Sequence, residues 1–318
     1  MSNNPCPICN SEKDKTKLCQ VSFTYQSEFN LSECSNCQVI YCDPTPTTEQ
    51  FIRFYSTEGY DFNRWKQESK ARAYIKRLNK KQTSGRFLDI GCATGYMINK
   101  IAQDSDWQVY GVELSEHPVT FAREVLGLQN VIHGDLFSVN YNDDFFDYIN
   151  ISDVLEHVPN PREFLQECRR ILKPDGYIQL EVPNGHNDSR GLINYNKQFN
   201  EAGCHASGHV FFFQKATLLY LFDQIGFDVV RARTMGIKNG LRNAGWLPKK
   251  KSWYKFFIPR KKPEVAVESE IQLISKKEHS DFYYWYRYLK HVWFTLPGLH
   301  NFGLNFNIVL KPSHPETK

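Results

Sequence analysis

The chain of 318 residues predicts an α/β protein: a doubly wound, mostly parallel sheet, with a small cysteine-rich module ahead of it and a helical, aromatic insertion before its last strand. Three observations predict this. Over residues 84–235 short apolar runs alternate with helical-period segments, the rhythm of parallel strands joined by crossover helices. The run Arg86-Phe-Leu-Asp-Ile-Gly-Cys-Ala-Thr-Gly95 ends a strand in an acid and then enters a glycine turn and a helix. Twenty-two residues past Gly91, Glu113 closes a second apolar strand, Val109-Tyr-Gly-Val-Glu113. A helix end presents N–H groups and a positive dipole, and a carboxylate at that spacing takes the two hydroxyls of a ribose, so the pair predicts an adenosine site.

The elements follow in chain order. Residues 1–44 hold Cys6-Pro-Ile-Cys9 and Cys34-Ser-Asn-Cys37, with 24 residues between the pairs, and end at the turn-rich Asp43-Pro-Thr-Pro46. Two such knuckles bring four thiolates to the corners of a tetrahedron, which suits a structural zinc ion in a ribbon-like module and leaves no open position for catalysis. Residues 45–83 form a polar helical linker, with Phe51, Phe54 and Tyr55, then Ala73, Ile75 and Leu78, at helical spacing. The core, 84–235, carries expected strands at 86–90, 108–112, 131–133, 146–151, 177–182 and 227–232. Its helices are expected at about 94–103, 116–126, 161–172 and 214–225.

The helix at 161–172 has the fullest set of signals. Asn160 suits its cap, Pro161 its first position, and Glu163 the reach back to that cap; Lys173-Pro174-Asp175-Gly176 stops it and turns the chain into a strand. Residues 236–302 then break the rhythm. From Gly236 to Pro263 there are nine Lys or Arg and no acid, interleaved with Trp246, Trp253, Tyr254, Phe256 and Phe257. A second aromatic run, Phe282 to Tyr288, precedes a closing strand at 305–311 within the final segment, 303–318.

Composition excludes several classes. A net charge of +4 does not force a nucleic-acid partner, and no apolar run reaches the length of a membrane span. The start, Met-Ser-Asn-Asn-Pro, has neither the basic end nor the apolar stretch of an export signal, and nine cysteines, four of them in knuckles, point to reduced thiols and metal. A cytoplasmic location is therefore expected. Cys92, Cys168 and Cys204 read as small buried residues, while Cys19 and Cys42 lack a knuckle partner.

Residues 84–235 plus the last strand resemble the class I S-adenosylmethionine-dependent methyltransferases, a Rossmann-like fold, most closely the branch that includes ubiquinone-biosynthesis O-methyltransferases. Leu88-Asp-Ile-Gly-Cys-Ala-Thr-Gly95 matches the first motif, with Ala93 where a middle glycine is usual. The dinucleotide pattern G-x-G-x-x-G fails at Ala93 and Thr94. The resemblance implies S-adenosylmethionine as cofactor, with Asp89, Gly91 and Gly95 along its methionine end, Glu113 on the ribose and Leu114 beside the adenine. Asp135, followed by Leu136, would take the adenine amino group. The segment Asp147 to His157 looks like the fourth-strand motif, which brings Asp153 to the cofactor and His157 to the acceptor pocket. His157 is the first candidate base for a hydroxyl acceptor; His205 and His209 are the next, and each has a structural alternative as a brace.

A cysteine module joined to this domain resembles bacterial proteins of cell-surface polysaccharide and other glycan synthesis. The leading expectation is methyl transfer to a hydroxyl of a sugar, glycan precursor or related small molecule. The alternatives are an RNA (rRNA or tRNA) acceptor, C-methylation of a nucleotide-sugar, and a non-catalytic scaffold that keeps the pocket. The basic aromatic stretch, 238–262, has three readings: a packed lid over the acceptor, a rest on an anionic membrane surface, and a nucleic-acid surface.

Overall fold

The computed structural model describes residues 5–12, 15–22, 28–47, 49–50, 64–204, 208–236 and 303–313. Two sheets organise them. The larger has seven strands: β4 (Ser84–Ile90), β5 (Asp106–Glu113), β6 (Val131–His133), β7 (Phe146–Ser152), β8 (Leu172–Pro183), β11 (Phe227–Met235) and β12 (Asn305–Pro312). Their order is β11-β12-β8-β7-β4-β5-β6. Strands β4 to β8 are mutually parallel where they pair, and β12 runs antiparallel between β8 and β11. The order reverses at β4, whose two neighbours are β5 and β7, so a crevice opens beyond the carboxyl ends of these three strands.

The smaller sheet was not anticipated in its full extent. The cysteine module supplies β1 (Lys15–Ser22), β2 (Glu28–Cys34) and β3 (Ile40–Asp43) as an antiparallel meander. Two short strands from far along the chain, β9 (Gly203–Cys204) beside β1 and β10 (Phe211–Phe212) beside β3, complete a five-stranded sheet. Residues 203–204 and 211–212 therefore hold the module by both edges. One hydrophobic core runs through both sheets, from Ile8, Val21, Leu31 and Val39 to Phe211, Phe213, Leu221 and Leu180.

Helices α1 (Arg64–Leu78), α2 (Tyr96–Asp104), α3 (Glu116–Glu124), α4 (Leu136–Val139), α5 (Pro161–Ile171), α6 (Gly185–Phe199) and α7 (Lys215–Ile225) join or cover the strands. Helix α1 buries Ala71, Tyr74 and Leu78, so its inward stripe is offset from the expected Ala73 and Ile75. Tyr74 meets Phe87 and Tyr148 edge-on, while the last two rings stack on each other at 5.5 Å. Helix α5 buries Phe164, Leu165, Cys168 and Ile171, as its apolar spacing requires. Its expected cap differs: Asn160 makes no side-chain bond to the backbone and instead donates to Glu163 Oε2 at 3.3 Å.

Strand β8 begins at Leu172 rather than 177. Leu172 pairs with Phe146 before Lys173–Gly176 fold in, and regular pairing with β7 resumes at Tyr177. Helix α6 was not expected. Its first residue, Gly185, lies so close to β10 that a Cβ there would sit 2.1 Å from the Phe212 carbonyl carbon. Asn184 and Asn187 fasten the same end, both donating to the Gly303 carbonyl, at 2.8 and 2.6 Å. Among the described residues, no helix is long and apolar enough to cross a membrane.

Candidate active site

At the carboxyl ends of β4, β5, β6 and β7 lies a cavity of about 430 Å³, closed on its far side by the first turn of α5. A smaller one of about 200 Å³ adjoins it beneath α1, and the two share Gly91, Ala93 and Asp153. Every expected cofactor residue except Gly95 lines one or both: Gly91, Glu113, Leu114, Asp135, Leu136 and Asp153 the larger, Asp89 the smaller. Gly95 stands behind the turn as the residue preceding α2, with a left-handed φ of 76°.

Local geometry explains the glycine turn. Gly91 has φ +71°, and a Cβ there would come 2.6 Å from Val154 Cγ2, so only glycine lets β4 and the loop after β7 meet. Ala93 also takes a left-handed φ, 48°, which costs a residue with a Cβ about 1–2 kcal/mol. Its N–H donates to Glu113 Oε2 at 3.0 Å, while Ser115 N–H donates to Oε1 at 3.0 Å. The carboxylate is thereby aimed at the cavity mouth from a buried position. Asp135 has a second task beside its cavity position, since its carboxylate caps α4 by accepting from Ser138 N–H at 2.7 Å.

Beneath α1 a buried polar chain orients Asp89. Tyr74 donates its hydroxyl to Asn150 Oδ1, and Asn150 Nδ2 donates to Asp89 Oδ1 at 2.6 Å. Burial pushes the Asp89 carboxyl up to about 7, against the pull of the Asn150 bond and the charge of Lys70. Lys66 and Lys70, one helical turn apart on α1, line the same space. The smaller cavity thus sets a carboxyl opposite two ammonium groups, a pairing that suits an amino acid's own ammonium and carboxylate.

At the other end of Asp153 stands a cluster whose partners sequence reading did not assemble. Glu156 is fully buried, and neither of its oxygens has a hydrogen-bond partner. His157 Nε2 and His209 Nε2 each lie 3.9 Å from Glu156 Oε1. The two imidazoles meet edge-on at 4.8 Å. Asp188, on α6, holds His209 Nδ1 at 2.6 Å, and the Gly208 carbonyl lies 3.3 Å from His157 Nδ1. Burial drives the Glu156 carboxyl well above the usual range, and Asp153 adds to the shift. One potential ligand atom from each of Glu156, His157 and His209 falls within 4.8 Å of the others, so the group can hold a proton or a small cation. His157 lines the larger cavity and His209 stands behind it. His205 and the stretch 238–262 lie outside the described residues.

The four cysteines meet as their spacing requires. Cys6 Sγ and Cys37 Sγ are 3.7 Å apart, and so are Cys9 Sγ and Cys34 Sγ. A tetrahedron with metal–sulfur bonds of about 2.3 Å has edges of about 3.8 Å, so the cluster has the size of a four-thiolate metal site. The hydrogen bond with Cys37 holds the Cys6 thiol below its ordinary range. Cys92 and Cys168 are buried with thiols pushed well above their ordinary range by desolvation, as inert core residues should be.

Comparison with known proteins adds the family. Residues 54–232, more than half of the chain, match the family described as a methyltransferase domain. The chain is similar to a ubiquinone biosynthesis O-methyltransferase of Pasteurella multocida, 30% identical over 127 residues, covering 35% of this chain and 52% of that one. It is also similar to a demethylmenaquinone methyltransferase of Staphylococcus epidermidis, 30% identical over 102 residues, covering 30% and 42%. The chain spans about half the length of such curated relatives. Among solved structures the cyclase SpnF shares the fold at a TM-score of 0.50 and 17% identity, covering 85% of this chain and 98% of that one. A cyclase on this fold shows that architecture alone does not fix the reaction. The match to the family model, with acids at the ends of β4 and β5 and a third after β6 around two adjoining cavities, settles the point: the chain belongs to the class I S-adenosylmethionine-dependent methyltransferases.

Proposed function

We propose that this chain transfers the methyl group of S-adenosylmethionine to a hydroxyl of a sugar, glycan precursor or related small molecule, with His157 as the base. The observation that carries the hydroxyl acceptor is the cluster of Glu156, His157 and His209 at the cavity wall. When bound, the cofactor supplies an already activated methyl on a sulfonium, which leaves as a neutral thioether. The protein's share is alignment, exclusion of water, and removal of the acceptor's proton. Alignment of this kind supplies about 7–11 kcal/mol, and a base a further 10²–10⁴-fold in typical cases.

Glu113 would hold the ribose, Asp89 the ammonium and Lys66 with Lys70 the carboxylate of the methionine end. On the acceptor side, the Gly208 carbonyl beside His157 Nδ1 favours the hydrogen there and leaves Nε2 as the basic nitrogen. An ionised Asp188 requires the same of His209, which steadies the positive charge that His157 acquires. The glycan acceptor rests on the resemblance of module plus domain; the O-methylation of ubiquinone biosynthesis named for one relative and the demethylmenaquinone named for another are the competing readings. Zinc in the four-cysteine site would be structural.

The test uses radiolabelled S-adenosylmethionine, the purified chain and fractionated bacterial extract. Label surviving nuclease in a sugar-nucleotide, polysaccharide or glycolipid fraction supports the proposal. Label lost to nuclease makes the acceptor RNA, and label in a quinone fraction transfers the reading to the relatives' chemistry. A second reading, a divalent ion at Glu156, His157 and His209 that lowers the acceptor's pKa, is favoured by the two unpartnered Glu156 oxygens. Transfer that stops on chelation and returns with a divalent transition metal such as iron(II) or zinc, while the cysteine site stays loaded, would select it.

A further inference from the structure

The cysteine module touches the catalytic cleft at its own metal knuckles. Arg162, in the first turn of α5, donates from Nε and one Nη to the carbonyl of Ile8, inside the first knuckle, at 3.0 and 2.8 Å. The neighbouring residues of that turn, Asn160, Glu163 and Phe164, line the cofactor cavity. Thr217, in the first turn of α7, donates to the carbonyl of Cys37 in the second knuckle at 2.9 Å. From that knuckle β3 runs directly alongside β10, Tyr41 opposite Phe211, and Cys42 N–H donates to the Val210 carbonyl at 2.9 Å. The N–H groups of Val210 and Phe211 then both donate to the carbonyl of Glu156, at 2.9 and 3.0 Å. His209 is therefore set between the loop after β7 and a strand that leaves the metal site.

An ordinary surface-docked ribbon would make these contacts through side chains on its outer face. Here the acceptors are backbone carbonyls of the knuckles themselves, and one of the donors, Arg162, sits in the turn of α5 that borders the cleft. A knuckle closed around a metal presents those carbonyls in one arrangement; an open knuckle does not. We infer that the four-cysteine site and the cofactor cleft are energetically coupled through Arg162 and the β3–β10 pairing, so that filling either site steadies the other. Arg162 is the positioning residue of this link and touches neither metal nor acceptor. The inference rests on the cofactor and metal readings above and adds the coupling between them.

Coupling between two binding sites is reciprocal, which supplies a readout separate from turnover. The affinity of the full chain for its metal is measured by equilibrium competition with a chromogenic pyridylazo chelator, with and without saturating S-adenosylhomocysteine. Metal content and the affinity for S-adenosylhomocysteine are measured on the same preparation. The expected result is a metal affinity raised about fivefold or more by the ligand, the lower end of typical couplings. Arg162→Met should abolish that difference while leaving the metal in place, and Arg162→Lys should restore part of it. Should Arg162→Met not fold, Thr217→Val tests the second knuckle in the same assay. Equal metal affinities with and without ligand, in protein that holds metal and binds S-adenosylhomocysteine, overturn the coupling alone. Protein that purifies without metal overturns it together with the metal reading, and protein that fails to bind the ligand overturns it together with the cofactor reading.

Discussion

Asp89 combines a buried carboxyl with a ligand that must carry charge to it. Its side chain is fastened to Asn150, and burial lifts its carboxyl to about 7. An ammonium at the methionine end favours the ionised form, so cofactor binding below that value must expel a proton. Affinity for S-adenosylhomocysteine is expected to weaken as pH falls below about 7, by up to about tenfold per pH unit. Titration calorimetry in buffers of differing ionisation enthalpy checks this, and Asp89→Asn should lose both the affinity and its pH dependence. The stability of the unliganded protein runs the opposite way with pH. An unfolded aspartate titrates near 3.9, so between there and about 7 the native state binds the extra proton. Asp89 therefore contributes stability that is complete below about 4 and lost as pH rises through about 7; Asp153 and Glu156, both raised by burial, act in the same direction. At Ala93 the left-handed backbone predicts that Ala93→Gly leaves the Glu113 bond intact and raises the denaturation midpoint by up to about 1 kcal/mol equivalent, the relief of Cβ strain less the added freedom of the unfolded chain.

Among the elements, α6 decides how far sequence reading reached. Its residues, Gly185-His-Asn-Asp-Ser-Arg-Gly-Leu-Ile-Asn-Tyr-Asn-Lys-Gln-Phe199, include two glycines and three asparagines, a poor helix by propensity. Contacts made elsewhere override that: the Gly303 carbonyl holds its start, and β10 presses against Gly185. The one local signal was Asn184 before a region with Leu192 buried farther on, whose side chain does accept from His186 N–H. Gly185→Ala would force β10 and α6 apart and is expected to destabilise by at least about 1–3 kcal/mol, measurable in urea melts. Because α6 carries Asp188, the same change should also weaken the His209 pairing and lower turnover more than cofactor affinity. By contrast α5 and the strands β4 to β7 were legible from spacing alone, since each buries a stripe that its own residues define.

At the scale of the whole molecule the cysteine module is part of the catalytic body. Three strands of the module and two from farther along the chain, at 203–204 and 211–212, form its sheet, and a single core continues into the larger sheet. Loss of the metal site should therefore spread beyond residues 1–44. Cys34→Ser is expected to raise hydrogen exchange in β1–β3 and in residues 208–213 together, with turnover falling alongside. Exchange confined to 1–44, with 208–213 protected as before, would show instead that β10 holds its place without the module.

Local chemistry decided what a single stretch of chain can hold: an acid closing a strand before a glycine turn, a second acid at ribose distance, and two knuckles sized for one metal. Asp89, Gly91, Glu113 and the four cysteines were readable for that reason, as each belongs to a motif whose residue types and spacing are themselves the signal. Tertiary structure alone decided which distant groups meet. His157 and His209 are brought to one carboxylate by β10, Asp188 reaches them from a helix that its own sequence disfavours, and Arg162 reaches the knuckle from another. Each of these contacts depends on strand order and shared core packing, which act between residues that carry no mark of one another in sequence.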